Sequence, residues 1–133
     1  MARSTACVDT DVCIEFLRGR SPGDTHFERA LTEYDLRVTA LTAYELLLGQ
    51  RRMRRQQDLA GLFQIVPVIP FGERAAEESA TIQAILLRRG EGIGLPDTLI
   101  AGTCLAESIP LITYNLAHFE RVLGLQVIDP TAL

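Results

Sequence analysis

The sequence predicts an α/β fold with a mainly parallel sheet, on two observations. Short apolar runs rich in β-favouring residues alternate along the chain with helical patterns, which is typical of strands joined by helices. The chain has 133 residues and is 47% hydrophobic, which suffices for a buried core. Residues 1–133 are therefore expected to form a single domain.

Five strands are expected. The first spans 5–8 and ends in Asp9, Thr10 and Asp11. The others are expected at 36–39, 65–69, 109–113 and 126–128. The expected strand at 65–69 carries Pro67, which suits an edge position because proline cannot donate to a sheet ladder.

Helices are expected between the strands, each with its own start or stop signal. The first ends at Gly19, and the second is opened by the Ser-Pro-Gly-Asp run at 21–24 and reaches about Tyr34. A third is expected at 42–50, continuing through 51–62 with Gly61 near its end. The longest spans 73–89 and closes at Gly90, and the last begins at Pro96.

The charged residues exclude several classes of enzyme. There are 17 acidic and 13 basic residues, for a net charge of −4, and every basic residue is Arg. A chain without Lys has no P-loop lysine, no Schiff-base lysine and no kinase-type phosphate lysine. The negative charge also argues against coating nucleic acid by bulk electrostatics, although it allows a local basic patch.

The cysteines and the N-terminal residues predict a cytoplasmic protein. The three cysteines lack CxxC spacing, and we expect buried thiols in a reducing compartment. The N-terminal residues resemble no signal peptide. No stretch approaches the roughly 20 apolar residues of a membrane helix, so no membrane association is expected.

Polar residues follow the predicted strands at the edge where α/β sheets bind ligands. Asp9 and Asp11 follow the first strand, and Asn115 follows the fourth. Glu45 and Asp97 lie in the first turns of two helices, where the helix dipole favours ionised carboxylates. Together these oxygens would suit Mg²⁺ or Mn²⁺.

Each of these residues also has a simpler explanation. Glu45 fits a capping box that begins at Thr42, and this is the favoured interpretation of that residue on its own. Asp11 could be a helix N-cap, Asp97 could complement a helix dipole, and Asn115 could be a turn residue. Asp9 fits such an explanation least, because its carboxylate ends a buried run and needs a charge partner.

Four segments, taken together, are more specific than any single residue. They occur in the order VDTDVCIEFLRG, TALTAYELLLG, LPDTLIAGTCLAESIPLITYN and TYNLAHFERVLGL. They resemble the successive motifs of the PIN-domain family, most closely the VapC-type toxins of bacterial toxin–antitoxin pairs. The resemblance extends from Cys7 to about Asp129, and its most specific part runs from Asp97 to Asn115.

This resemblance implies a three-layer α/β/α domain with a central, mainly parallel sheet of four to five strands. It also implies a Mg²⁺- or Mn²⁺-dependent endoribonuclease. Asp9 and Asp97 would hold the metal, and Glu45 would ligate through water or orient the nucleophile. Asn115 stands where the family often has a fourth acidic residue, which puts occupancy by two metals in doubt. The expected supporting residues are Thr10, Asp11 and Thr113.

The resemblance also implies partners: RNA as substrate, a second copy of the chain, and a VapB-like antitoxin that blocks the acidic site. No histidine is required by this chemistry. His26 and His118 are isolated in the sequence, and we expect His118 to serve with Phe119 in packing or in a turn.

An acidic cleft repels phosphate, so RNA binding needs positive charge nearby. The densest supply is Arg51, Arg52, Arg54 and Arg55. On one helix, Arg52 would share a face with Glu45, about 10 Å along the axis. Arg51, Arg52 and Arg55 are the RNA-binding candidates, and an ordinary solvated helix face is the equal alternative.

Two other functions are consistent with part of the sequence. CVDTDV fits the DxDx[TV] pattern of haloacid-dehalogenase-like Mg²⁺-dependent phosphatases, with Asp9 as nucleophile, but that family usually needs a lysine near the phosphate. A catalytically silent PIN-like module that only binds RNA or protein is the second alternative, and Asn115 is the residue that favours it.

Overall fold

The structure is a computed structural model that describes residues 2–19, 25–53 and 57–133. Its strands are β1 (Thr5–Val8), β2 (Asp35–Thr39), β3 (Val68–Ile69), β4 (Leu111–Ile112) and β5 (Val127–Ile128). Its helices are α1 (Thr10–Arg18), α2 (His26–Glu33), α3 (Ala40–Met53), α4 (Leu59–Ile65), α5 (Glu73–Arg88), α6 (Leu95–Glu107) and α7 (Leu116–Phe119). A 3₁₀ turn at Pro130–Ala132 follows β5.

The five strands form one parallel sheet in the order β3-β2-β1-β4-β5. Cys7 of β1 is in register with Arg37 of β2 on one side and with Leu111 of β4 on the other. Strands β2 and β3 are added on one side of β1, and β4 and β5 are then added on its other side. The crevice between the ends of β1 and β4 is therefore the switch point where such sheets bind ligands.

Two apolar cores lie on opposite faces of this sheet. Ala6 and Val8 of β1 pack into the core formed with α1 to α4. Cys7 points to the core formed with α5, α6 and α7. This alternation follows from the two-residue period of a strand. The predicted α/β class, with three layers and a parallel sheet of four to five strands, is confirmed.

The predicted helix through 51–62 is wrong. Helix α3 passes Gly49 and ends at Met53, whereas α4 begins afresh at Leu59. Asp58 is the reason, because its carboxylate accepts a hydrogen bond from the Gly61 amide at 2.8 Å and so caps a new helix. Gly61 consequently lies in a first turn rather than near a helix end. Residues 54–56 lie outside the described ranges.

Several other boundaries differ from the prediction. The third strand starts only at Val68, because Ile65 still belongs to α4, but its predicted edge position is confirmed. The second helix is capped by Thr25 and begins at His26, and its predicted opening at 21–24 lies outside the described residues. The short helix α7 was not predicted.

In the part of the chain that the structure describes, no helix combines the length and the apolar character needed to cross a membrane.

Gly102→Ala is expected to lower the free energy of unfolding by about 1–3 kcal/mol. A Cβ at this position would lie 1.9 Å from Ser79 Oγ and 2.8 Å from the Ser79 backbone nitrogen, so α5 and α6 would have to separate. Urea unfolding measures the effect. Gly49→Ala is the matched control, because its Cβ would meet nothing within 4 Å, and it should stabilise α3 by about 0.5–1 kcal/mol. Equal stability of Gly102→Ala and the wild type would contradict this contact.

Candidate acidic site at the carboxyl edge of the sheet

Asp9 lies at the centre of the site, between the ends of β1 and β4. This residue is only 6% exposed. Its Oδ1 accepts from the Thr10 amide at 2.8 Å, so Asp9 caps α1. Its Oδ2 accepts from Thr113 Oγ1 at 2.7 Å. The prediction of Asp11 as the N-cap is therefore wrong, because α1 begins at Thr10, two residues earlier than that cap requires.

Burial is the main reason that the pKa of Asp9 rises from 3.8 to about 7, and the negative charges of Asp11 and Asp97 raise it further. The hydrogen bonds from Thr113 and Thr10 oppose this rise but do not cancel it. Burial also raises the pKa of Asp11. Three carboxyl groups thus influence one another at this edge of the sheet.

Asp11 has one satisfied oxygen and one unsatisfied oxygen. Its Oδ2 accepts from the Tyr114 amide at 3.2 Å. Its Oδ1 is buried and has no hydrogen-bond partner. Such an oxygen is costly to bury unless a donor or a cation compensates it.

Glu45 projects from α3 toward the start of α1. Its Oε1 accepts from Thr10 Oγ1 at 2.8 Å. The capping-box interpretation of Glu45 is wrong, because α3 already begins at Ala40 and the Thr42 amide donates to Thr39 Oγ1 at 3.1 Å. The carboxylate of Glu45 is therefore directed to the neighbouring helix rather than to its own backbone.

Asp97 and Asn115 meet across the same crevice. Asp97 lies in the first turn of α6, and Asn115 precedes α7 as its N-cap residue. Asn115 Nδ2 donates to Asp97 Oδ2 at 3.2 Å. The Asn115 backbone amide donates to Thr113 Oγ1 at 3.0 Å, and this hydroxyl in turn donates to Asp9. A chain of hydrogen bonds thus connects Asp97 to Asp9.

His118 is the site residue that sequence reasoning missed. Its Nδ1 lies 3.0 Å from Asp97 Oδ2 and 3.0 Å from Asn115 Nδ2. The packing role predicted for this segment belongs to Phe119, which is fully buried. The three-residue spacing from Asn115 was the available signal, because one helical turn brings such residues together.

His26 also has partners that the sequence did not reveal. Its Nδ1 contacts the hydroxyl of Tyr114, which donates to Glu15. Its backbone amide donates to Glu15 at 2.9 Å. These contacts tie α1 and α2 to the segment after β4, and Tyr114 also fixes Asp11 through its amide.

The positive charge near the acidic site is limited. Between described residues, no arginine forms an ion pair with Asp9, Asp11 or Asp97. Arg51 and Arg52 are exposed in the last turn of α3. The Arg51 guanidinium donates to the Leu47 carbonyl at 3.2 Å. The predicted candidate Arg55 lies outside the described residues, as does Arg54.

The acidic residues do not form a closed cage for an ion. Across residues 2–19, 25–53 and 57–133, no three or more His, Cys, Asp and Glu side chains are grouped so that they could hold a metal. The donors nevertheless suit a hard cation, because they are oxygens and because one of them, Asp11 Oδ1, is buried without a partner.

Fold and site together define a class: a parallel α/β domain whose carboxylates gather at the switch point of the sheet. Residues 6–124 match the family model of the PIN domain, and the chain belongs to this family. The resemblance inferred from the four sequence segments is thereby confirmed, and the phosphatase alternative is not favoured.

Curated relatives share most of the chain. The tRNA(fMet)-specific endonuclease VapC of Shigella flexneri is 28% identical over 126 residues, covering 92% of this chain and 95% of the relative. Ribonuclease VapC10 of Mycobacterium tuberculosis is 30% identical over 114 residues, covering 84% of each. VapBC2 of Rickettsia felis, solved with a DNA fragment from its promoter, has a similar fold, with a TM-score of 0.82 at 20% identity. That match covers 93% of this chain and 97% of the solved one.

Proposed function

We propose that this protein is a divalent-metal-dependent endoribonuclease and the toxin of a VapBC-like toxin–antitoxin pair. The observation that carries the proposal is the buried Asp9, whose pKa is raised to about 7 beside Asp11 and Asp97, with no arginine paired to them among the described residues. The PIN-domain match and the ribonuclease names of the relatives supply the reaction class.

In this proposal Asp9 and Asp97 hold Mg²⁺ or Mn²⁺, and Asn115 offers a neutral oxygen. An incomplete protein cage is compatible with Mg²⁺, which keeps several waters and binds through one or two carboxylates together with substrate phosphate. Such an ion lowers the pKa of bound water and stabilises charge on the phosphoryl group when it is present.

The remaining side chains prepare the site. Thr113 donates to Asp9 Oδ2 and so favours the ionised carboxylate. Thr10 fixes the Glu45 carboxylate through its hydroxyl, and we assign Glu45 to orienting the attacking water. Asp11 adds negative charge beside Asp9. These assignments place Thr10, Asp11 and Thr113 in a supporting role.

Incubation of the purified protein with RNA in Mg²⁺, Mn²⁺ or EDTA tests this function. We expect cleavage with either metal, none in EDTA, and none with Asp97→Ala. Sequencing the ends of the products then identifies the site of cleavage. RNA binding without cleavage under both metals would instead support the catalytically silent module, the alternative that Asn115 keeps open.

We also propose that Arg51, Arg52 and Arg55 bind the phosphates beside the cleaved one. Arg52→Ala combined with Arg55→Ala is expected to weaken RNA binding and to lower the slope of log affinity against log salt by about 1–2, because each neutralised phosphate releases counterions. Fluorescence anisotropy over a salt series measures both quantities. Arg88→Ala with Arg89→Ala, at the exposed end of α5, is the control with the same change in charge. An unchanged slope in the first variant would exclude this role.

The proposed partners are a VapB-like antitoxin and a second copy of the chain, acting in the cytoplasm. The solved structures with a similar fold include DNA-bound VapBC of Salmonella typhimurium and a toxin–antitoxin complex from Klebsiella pneumoniae. Helix α3 exposes three large apolar side chains, with 59% of Tyr44, 40% of Leu48 and 53% of Met53 accessible. Side chains of this kind are common at protein–protein interfaces.

A further inference from the structure

The His118 imidazole touches the acidic site through a single atom. Its Nδ1, the Asn115 Nδ2 and the Asp97 Oδ2 form a triangle with sides of 3.0, 3.0 and 3.2 Å. Of these three atoms, only the Asp97 oxygen belongs to a negatively charged group, and it can only accept hydrogen bonds. Electrostatics therefore assigns a proton to Nδ1, so that imidazole and amide both donate to this oxygen.

Packing does not account for this position. The His118 side chain is 40% exposed, whereas the neighbouring Phe119 is fully buried in the core with α5 and α6. Helix α7 is thus anchored by Phe119, and His118 is left to make a polar contact. Among the described residues, the other oxygen of Asp97, Oδ1, has no such donor.

The contact also completes a connected network. Asn115 is bound to Thr113, and Thr113 is bound to Asp9. His118 adds the second donor at the Asp97 end. A carboxylate oxygen held by two donors has a fixed orientation, and partners of this kind tune the metal affinity of the group they hold.

We propose that His118 is a positioning residue that fixes the Asp97 carboxylate through Nδ1–H and thereby sets the affinity of the site for a divalent cation. The cation site itself rests on the proposed function. The contact between His118 and Asp97 can be tested without a metal.

The metal-free test determines the tautomer of His118 at pH 8 by two-bond ¹H–¹⁵N correlation NMR. The chain has only two histidines, and the signals missing in His118→Ala assign the ring. We expect the neutral ring to carry its proton on Nδ1 in the wild type and to shift toward the Nε2-protonated form in Asp97→Ala, which removes the acceptor. A wild-type ring protonated on Nε2 would overturn the proposal.

The second test is Mn²⁺ binding by calorimetry. His118→Ala is expected to bind Mn²⁺ at least about 10-fold more weakly than the wild type. His118→Asn should restore binding to within about threefold, because its amide nitrogen occupies the place of Nδ1. Both variants should keep the wild-type melting temperature, as should the control Glu120→Ala, an exposed residue directly after α7.

Unchanged or tighter Mn²⁺ binding by His118→Ala would overturn the proposal, as would equally weak binding by His118→Asn. A wild-type protein that binds no Mn²⁺ would instead contradict the metal site of the proposed function. In that case the tautomer of His118 still decides whether Asp97 is held by this ring.

Discussion

Asp9→Asn is expected to lower kcat/KM for metal-dependent RNA cleavage by at least about 100-fold. The substitution removes the most buried carboxylate of the site and, under the proposed function, a metal ligand. Asparagine is as good an N-cap residue as aspartate, so α1 should still form. Cleavage of a labelled RNA at saturating Mn²⁺ measures the loss.

Glu77→Gln is the matched control, since it removes one carboxylate from the exposed face of α5. It should cleave RNA at the wild-type rate. Full activity in Asp9→Asn would mean that this carboxylate does not take part in the reaction, and the proposed site would have to be abandoned.

The same substitution is expected to stabilise the metal-free protein at pH 8 by about 2–4 kcal/mol. The pKa of Asp9 is about 7 in the folded protein and 3.8 in an ordinary setting. Between these pH values the folded state keeps a proton that the unfolded state has released. The contribution of Asp9 to wild-type stability must therefore fall as the pH rises from about 4 to about 7, and the full cost of ionising Asp9 is present above pH 7.

Urea unfolding in EDTA at pH 4 and at pH 8 measures this difference. Asp9→Asn should exceed the wild type at pH 8, and its advantage should vanish near pH 4, where both proteins carry a neutral group. Thr113 can support either side chain, because its hydroxyl both donates and accepts. A variant less stable than the wild type at pH 8 would show that Asp9 is not held in an unfavourable ionised state.

Much of the fold was predictable because its elements carry strong local signals. The strand at 5–8 contains the apolar run from Ala6 to Val8, and the helix that starts near Pro96 has proline where a helix begins. The break between α3 and α4 was not predictable in this way. The break depends on Asp58, which caps a new helix where the pattern of residues also allows α3 to continue. Local helix propensity does not decide between one long helix and two shorter ones.

The site was predictable to the extent that it follows from strand ends. Asp9, Asp97 and Asn115 were expected at one edge of the sheet, and the structure brings them together. The capping-box interpretation of Glu45 failed because its hydrogen-bond partner Thr10 lies 35 residues away in the sequence. His118 was missed for a related reason: its spacing from Asn115 is local, but its contact with Asp97 depends on how α7 packs against α6.

The position of β1 at the centre of the sheet determines when the site can form. Its neighbour β4 is made more than a hundred residues later, and the Asp9–Thr113 hydrogen bond spans 104 positions. A growing chain that has not yet reached Thr113 and Asn115 lacks the hydrogen bonds that connect Asp9 to Asp97, however well its N-terminal helices have formed. The acidic crevice can therefore be completed only late in synthesis, after β4 and the residues that follow it have been made.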